Sequence, residues 1–219
     1  MPLPPAFLDA LAKAEDRSSN PLTFIWPMPG FPGGQPVSFS RFADWRTFVL
    51  DLGLRRIAPE PIADKFERGQ KLILLAWIDF DLFTTGELIA LTALELALKD
   101  RYGLKVKRRK GKSLFADLLM HMVTADGLDD SKVPMLQRCG GGSVVGYLTG
   151  EREPTLADRR NGLAHGDPFG RSGAGSYCAG LFELVRDLID YAYRDFDLHL
   201  NSASESGRKI NADRAVQNF

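Results

Sequence analysis

The stretch from Glu87 to Tyr102 limits the possible folds more than any other part of the chain. Leu88, Leu91, Leu94, Leu98 and Tyr102 recur at three- and four-residue steps, the period of one helix face and not of a strand. A stripe of that length has to be covered, and other helices must cover it. Candidates follow downstream. Leu114, Phe115, Leu118, Leu119 and Met122 form a second apolar face, with Ser113 as the expected N-cap and an end near Gly127. A third helix is expected through Leu156 to His165, stopped by Gly166, Asp167 and Pro168. A last one is expected from about Tyr177 to Leu200, burying Leu181, Leu184, Val185, Leu188, Ile189 and Tyr191. No strand series and no internal repeat appears. Residues 71–200 therefore predict a mainly α fold, a four- to five-helix bundle.

The first helix is expected to run from about Gln70 to Arg101, with a bend or break at Thr84-Thr85-Gly86-Glu87, and to stop at Gly103. Residues 1–70 read differently, as an N-terminal extension packed on the core. Pro5 to Asp16 suits a short amphipathic helix carrying Phe7, Leu8 and Leu11. Asn20 to Pro36 is rich in Pro and Gly and carries Phe24, Ile25, Trp26 and Phe31, so a loop packed on a surface is expected. Val37 to Phe39 suits a short β element. Ser40 or Asp44 is the expected cap of a helix through Trp45, Phe48, Val49 and Leu52, and Pro59-Glu60-Pro61 closes the section. Trp26 and Trp45 are expected to bury the extension on the bundle rather than to stack on bases. Residues 201–219 are expected to be a polar, flexible tail.

Charge limits the function. Lys plus Arg and Asp plus Glu both total 28, a net charge of zero, which argues against a protein that coats nucleic acid and leaves room for one local patch. Cys139 and Cys178 show neither pairing nor metal-type spacing, as expected in a reducing compartment. Met1-Pro2-Leu3-Pro4-Pro5 lacks the basic and apolar regions of a signal peptide. The longest apolar run, Leu72 to Ile78, is too short to span a bilayer. The expected location is the cytoplasm, with no membrane contact.

The chemistry-bearing stretch is Arg160-Asn161-Gly162-Leu163-Ala164-His165. A permanent cation, an amide and an imidazole together can hold a phosphate and move a proton beside it. Five helical positions separate Arg160 from His165 by roughly 140°. For both to act, either the helix unwinds at Gly162 or the two come from different subunits. The plain alternative is structural: Arg160 pairs with Asp158 or Glu153, and His165 caps the helix end.

The stretch resembles the Arg-Asn-x-x-x-His signature of HEPN domains (higher eukaryotes and prokaryotes nucleotide-binding). Its setting is similar too, near the end of a helix in a bundle and followed by another long helix. The resemblance covers roughly residues 71–200 and looks like uncharacterised bacterial HEPN-like proteins. It implies a metal-independent endoribonuclease that needs no cofactor, with Arg160, Asn161 and His165 as catalytic residues. It further implies RNA as partner and a homodimer that brings two copies of the motif together, leaving a 2′,3′-cyclic phosphate and a 5′-hydroxyl. A toxin or antiviral defence effector, with an antitoxin or regulatory protein as a further partner, is the expected setting. The family also contains non-catalytic modules that dimerise or bind a nucleotide or partner, and such a module is the alternative.

Other features weigh less. Lys105, Lys107, Arg108, Arg109, Lys110 and Lys112 place six cations in eight residues, either an RNA-backbone contact or a solvated loop. Gly111-Lys112-Ser113 ends like a phosphate loop, but Val106 stands where its first glycine belongs and no strand precedes it. Glu95 either faces the groove and anchors Arg160 or lies on an exposed edge. His121 and His199 read as structural histidines, Gly140–Gly142 as a flexible connection, and Asp79 with Asp81 as too few ligands for a metal.

Overall fold

A computed structural model describes residue 5 and residues 17–106, 114–166 and 180–196. Residues 6–16 of the first expected helix, Ser113, His199 and the 201–219 tail lie outside the described residues. The described chain is a mainly helical bundle with a small N-terminal hairpin. Among the described residues no helix is long and apolar enough to cross a membrane.

Strands β1 (Leu22–Met28) and β2 (Phe31–Phe39) pair antiparallel, from Leu22 opposite Phe39 to Met28 opposite Phe31. The hairpin extends the expected β element back through what reads as a loop. Pro27 and Pro36 obscure it in sequence, yet each strand of a two-stranded ribbon has a free edge where a missing N–H breaks no ladder bond. Leu22 and Trp26 are buried and Phe24 is half-buried, while Thr23 and Ile25 are exposed, the alternation of a half-covered strand. Helix α1 (Phe42–Asp51) follows, and its Trp45 is fully buried, with Nε1 donating to the Leu74 carbonyl at 3.0 Å. Arg41 is its N-cap residue, in place of Ser40 or Asp44, and Asp44 pairs with Arg41. The Phe24 ring lies 5.4–6.0 Å from those of Trp26, Phe39, Trp45, Phe48, Phe80 and Phe83. This aromatic cluster fastens the hairpin to the bundle.

Pro59-Glu60-Pro61 opens a helix rather than closing a section, because proline at the first turn loses no hydrogen bond. Helix α2 (Glu60–Leu75) runs across residue 70 and packs along α3 (Asp81–Tyr102). The expected long helix is thus broken at Ala76–Phe80 and not at Thr84–Glu87. Trp77 is buried at the break, and the Asp79 carboxylate accepts the Asp81 N–H at 3.1 Å, so Asp79 opens α3. Gly86 serves the helix crossing: a Cβ there would lie 2.8 Å from the Gly69 carbonyl oxygen, and one on Gly69 would lie 2.8 Å from that of Gly86. Gly103 does end α3, but in right-handed conformation, with φ −55°.

Helices α4 (Leu114–Thr124), α5 (Pro134–Cys139), α6 (Val145–Thr149) and α7 (Leu156–Ala164) cover the other side, and α8 (Leu181–Ala192) returns along α3. Gly140 to Gly142 all take positive φ, closing the α5 end with a conformation that only glycine adopts readily. Helix α8 is buried on every side from Leu181 to Asp190, including Glu183, Arg186, Asp187 and Asp190. Arg186 donates to Asp187 Oδ1 at 2.7 Å, to Glu183 Oε1 at 3.1 Å and to the Asp51 carbonyl at 3.2 Å. Asp187 accepts the Met135 N–H at 2.7 Å, and Asp190 accepts those of Arg55 and Arg56. At the far end Asp126 accepts from Arg194 and, at 2.6 Å, from the Tyr102 hydroxyl.

Candidate functional site

Helix α7 carries the Arg-Asn-x-x-x-His stretch. Thr155 and Asp158 start it as a reciprocal capping box: Asp158 N–H donates to Thr155 Oγ1 at 3.0 Å and Thr155 N–H donates to Asp158 Oδ2 at 3.1 Å. That spacing is present in the sequence. It commits Asp158 to the cap, and Arg160 turns to α3 instead. Glu153 is exposed and does not pair with it either. Buried Leu156 and Ala157 fix the helix against the core.

Arg160 Nη2 donates to Glu95 Oε2 at 2.7 Å, and Nη1 donates to Asn161 Oδ1 at 3.2 Å. Glu95 therefore faces the motif and anchors its arginine. The other Glu95 oxygen lies 2.7 Å from Lys99 Nζ, so one carboxylate stands between two cations. These groups line an open depression of about 190 Å³ with Lys65, Thr92 and Leu96. The Arg160 side chain keeps 29% of its surface exposed, against 13% for Glu95.

Arg159 points the other way. Its Nη2 lies 3.5 Å from Glu87 Oε2 in a buried pair, with exposures of 12% and 6%. Burial pushes the Glu87 carboxyl up to about 7, against the opposing pull of the Arg159 charge. Consecutive arginines of α7 thus dock on two acids of α3 eight residues apart, about two helical turns. Sequence reasoning missed Glu87 and Lys65. The available signal for Glu87 was its spacing from Glu95 on an apolar helix.

His165 is the C-cap residue of α7, with φ −90° and ψ 3°, and its N–H donates to the Asn161 carbonyl at 3.0 Å. The residue is exposed. The helix stays wound through Gly162 to Ala164, so Arg160 and His165 keep their angular separation and one chain does not gather them on one face. Asn161 bonds Arg160. Of the basic run, Lys105 is exposed just beyond α3, while Lys107, Arg108, Arg109, Lys110 and Lys112 lie outside the described residues. His121 is half-buried with its ring 5.1 Å from that of Tyr102, the structural position expected for it.

The site is thus an anchored, half-open guanidinium at a groove, with an exposed imidazole at the end of the same helix. Compared with protein-family models, with curated proteins and with solved structures, the chain matches none.

Proposed function

We propose that this chain is a metal-independent endoribonuclease of HEPN type that works as a homodimer. One observation carries the reading. Arg160 is oriented by Glu95 yet still open to a groove, and His165 lies exposed at the C-cap of the same helix. Because the helix stays wound through Gly162, this reading takes the missing partner from a second subunit. Across a two-fold axis two His165 imidazoles flank one phosphodiester. One takes the proton of the 2′-hydroxyl as its oxygen attacks phosphorus. The other protonates the 5′-oxygen as its bond to phosphorus breaks, leaving a 2′,3′-cyclic phosphate and a 5′-hydroxyl. Arg160 neutralises charge on the phosphoryl oxygens in the transition state. Asn161 holds the guanidinium in plane. The basic run from Lys105 to Lys112 recruits the RNA backbone. A toxin or defence effector in the cytoplasm, held in check by an antitoxin or regulatory protein, fits such an activity.

The test is cleavage of a mixed RNA pool in EDTA by the wild type and by His165→Ala. We expect cleavage by the wild type and a loss of about a hundredfold or more in the variant, the range typical of a removed acid–base group, with its melting temperature unchanged. Equal cleavage by both proteins would sink the assignment of His165. A second reading is a non-catalytic module that dimerises or binds a nucleotide or partner. It is favoured by the pairing of Arg160 and Lys99 with Glu95, and absence of cleavage by a folded, dimeric wild type would select it.

A further inference from the structure

We infer that the depression between α2, α3 and α7 receives a phosphate monoester, and that Lys65 of the N-terminal region completes it. The inference rests on the reading of Arg160 as a phosphate-binding group, and extends it to the kind of phosphate preferred.

Position comes first. The Gly69–Gly86 crossing fixes the register of α2 on α3, because the two backbones touch where any side chain would separate them. A Cβ on Gly69 would also lie 3.2 Å from the Ala90 nitrogen. One turn before Gly69, Lys65 is thereby carried to the same depression as Thr92, Glu95, Lys99 and Arg160. Lys65 is half-buried and makes no ion pair among the described residues. It is the one cation of the depression that Glu95 does not hold. The Arg160 Nε–H likewise finds no acceptor among the described residues, so turning that guanidinium toward a ligand breaks no bond at this nitrogen.

Charge and size then select the ligand. Lys65, Lys99 and Arg160 against Glu95 leave the lining at net +2. A phosphate monoester carries about −1.5 to −2 near neutral pH, whereas each internal phosphodiester carries a single negative charge. The monoester matches the lining and the diester leaves it half-compensated. The volume, about 190 Å³, is below the roughly 300–1,000 Å³ of sites that enclose a whole small molecule. It suits a phosphate group whose nucleoside stays outside. Leu96, which lines the depression and is 38% exposed, offers that nucleoside an apolar contact. The N-terminal region thereby contributes directly to the site: α2 adds a third cation to those of α3 and α7.

The experiment uses a tetradeoxythymidine, which lacks the 2′-hydroxyl and cannot be turned over by the proposed chemistry. Calorimetric titrations compare versions with a 5′-phosphate, a 3′-phosphate and two hydroxyl ends, and inorganic phosphate alone, on the full-length wild type, Lys65→Gln and Lys65→Arg. At least one monoester should bind about tenfold more tightly than the hydroxyl-ended strand, the effect of one charge-assisted hydrogen bond. Lys65→Gln should abolish that preference without changing the melting temperature, and Lys65→Arg should retain it. The preferred arm identifies the source as a 5′ end, a 3′ end or free phosphate. The preference should shrink at pH 5, where the monoester gains a proton. Equal binding of all the strands with no binding of inorganic phosphate, or a preference that survives Lys65→Gln, would overturn the inference. Because no arm requires cleavage, failure of the nuclease reading leaves this result separately readable.

Discussion

Arg159 and Arg160 are chemically identical neighbours with different environments. Arg159 meets Glu87 inside the bundle, and Arg160 meets Glu95 at the edge of a groove. The buried acid carries a pH signature. Burial holds the folded-state Glu87 carboxyl at about 7, above its ordinary value of 4.5. A group bound more tightly to its proton in the folded state contributes stability that is fully present below the unfolded value. That contribution is lost as pH rises through the folded value. Stability should therefore decline between about pH 4.5 and 7, by an amount on the order of 3 kcal/mol for this group. Buried Asp187 and Asp190, also shifted upward by burial, act in the same direction. Urea unfolding of the wild type and Glu87→Gln from pH 5 to pH 8 measures the contribution. The variant should show a visibly flatter profile, and an unchanged slope would remove Glu87 as the cause.

At the scale of elements, two helical glycines should respond oppositely to alanine. Alanine favours a helix interior by roughly 0.8–1 kcal/mol over glycine. At Gly69 that gain is overwhelmed, because the new methyl would sit 2.8 Å from the Gly86 carbonyl oxygen and 3.3 Å from the Phe182 ring. Helices α2 and α3 would have to separate, and overpacking of this kind costs about 1–3 kcal/mol. At Gly162 a methyl would meet nothing within 4 Å, and Gly162→Ala should stabilise α7. Thermal melts of the two variants should move in opposite directions. The pair also tests activity, since a nuclease that had to unwind α7 at Gly162 would lose cleavage in the stabilised variant, whereas one assembled from two subunits would keep it. The helices themselves were legible from local signals: the leucine period of α3, the face of α4, and the stop of α7 beside Gly166. The hairpin was less so, because Pro27 and Pro36 imitate a loop and only the free edges of a two-stranded ribbon make them harmless. The break at Ala76–Phe80 was missed because no glycine or proline marks it. It depends on buried Trp77 and on the Asp79 carboxylate that starts α3.

Across the whole molecule, α8 holds the N-terminal and C-terminal halves together. Arg186 is 1% exposed and reaches Glu183, Asp187 and the Asp51 carbonyl. Arg186→Met would leave Asp187 buried without its cation, and breaking such a pair typically costs about 3–5 kcal/mol. The loss should be greater at pH 8 than at pH 5, because protonation of Asp187 relieves the uncompensated charge; chemical denaturation at both values checks it. The helical class, the apolar faces of α3 and α4, burial of the Trp26 and Trp45 region, and the position of Arg160 to His165 at a helix end were all legible in the residues alone. These follow from period, caps and composition, which act over a few residues. That Arg160 is held by Glu95 across 65 positions, that Lys65 joins the same depression, and that the charged residues of α8 lie inside emerges from the packing of the helices. Such pairings depend on how one helix crosses another. Here the register is set by the Gly69–Gly86 contact, where absence of side chains lets two backbones meet, and no local pattern records which glycine will face which.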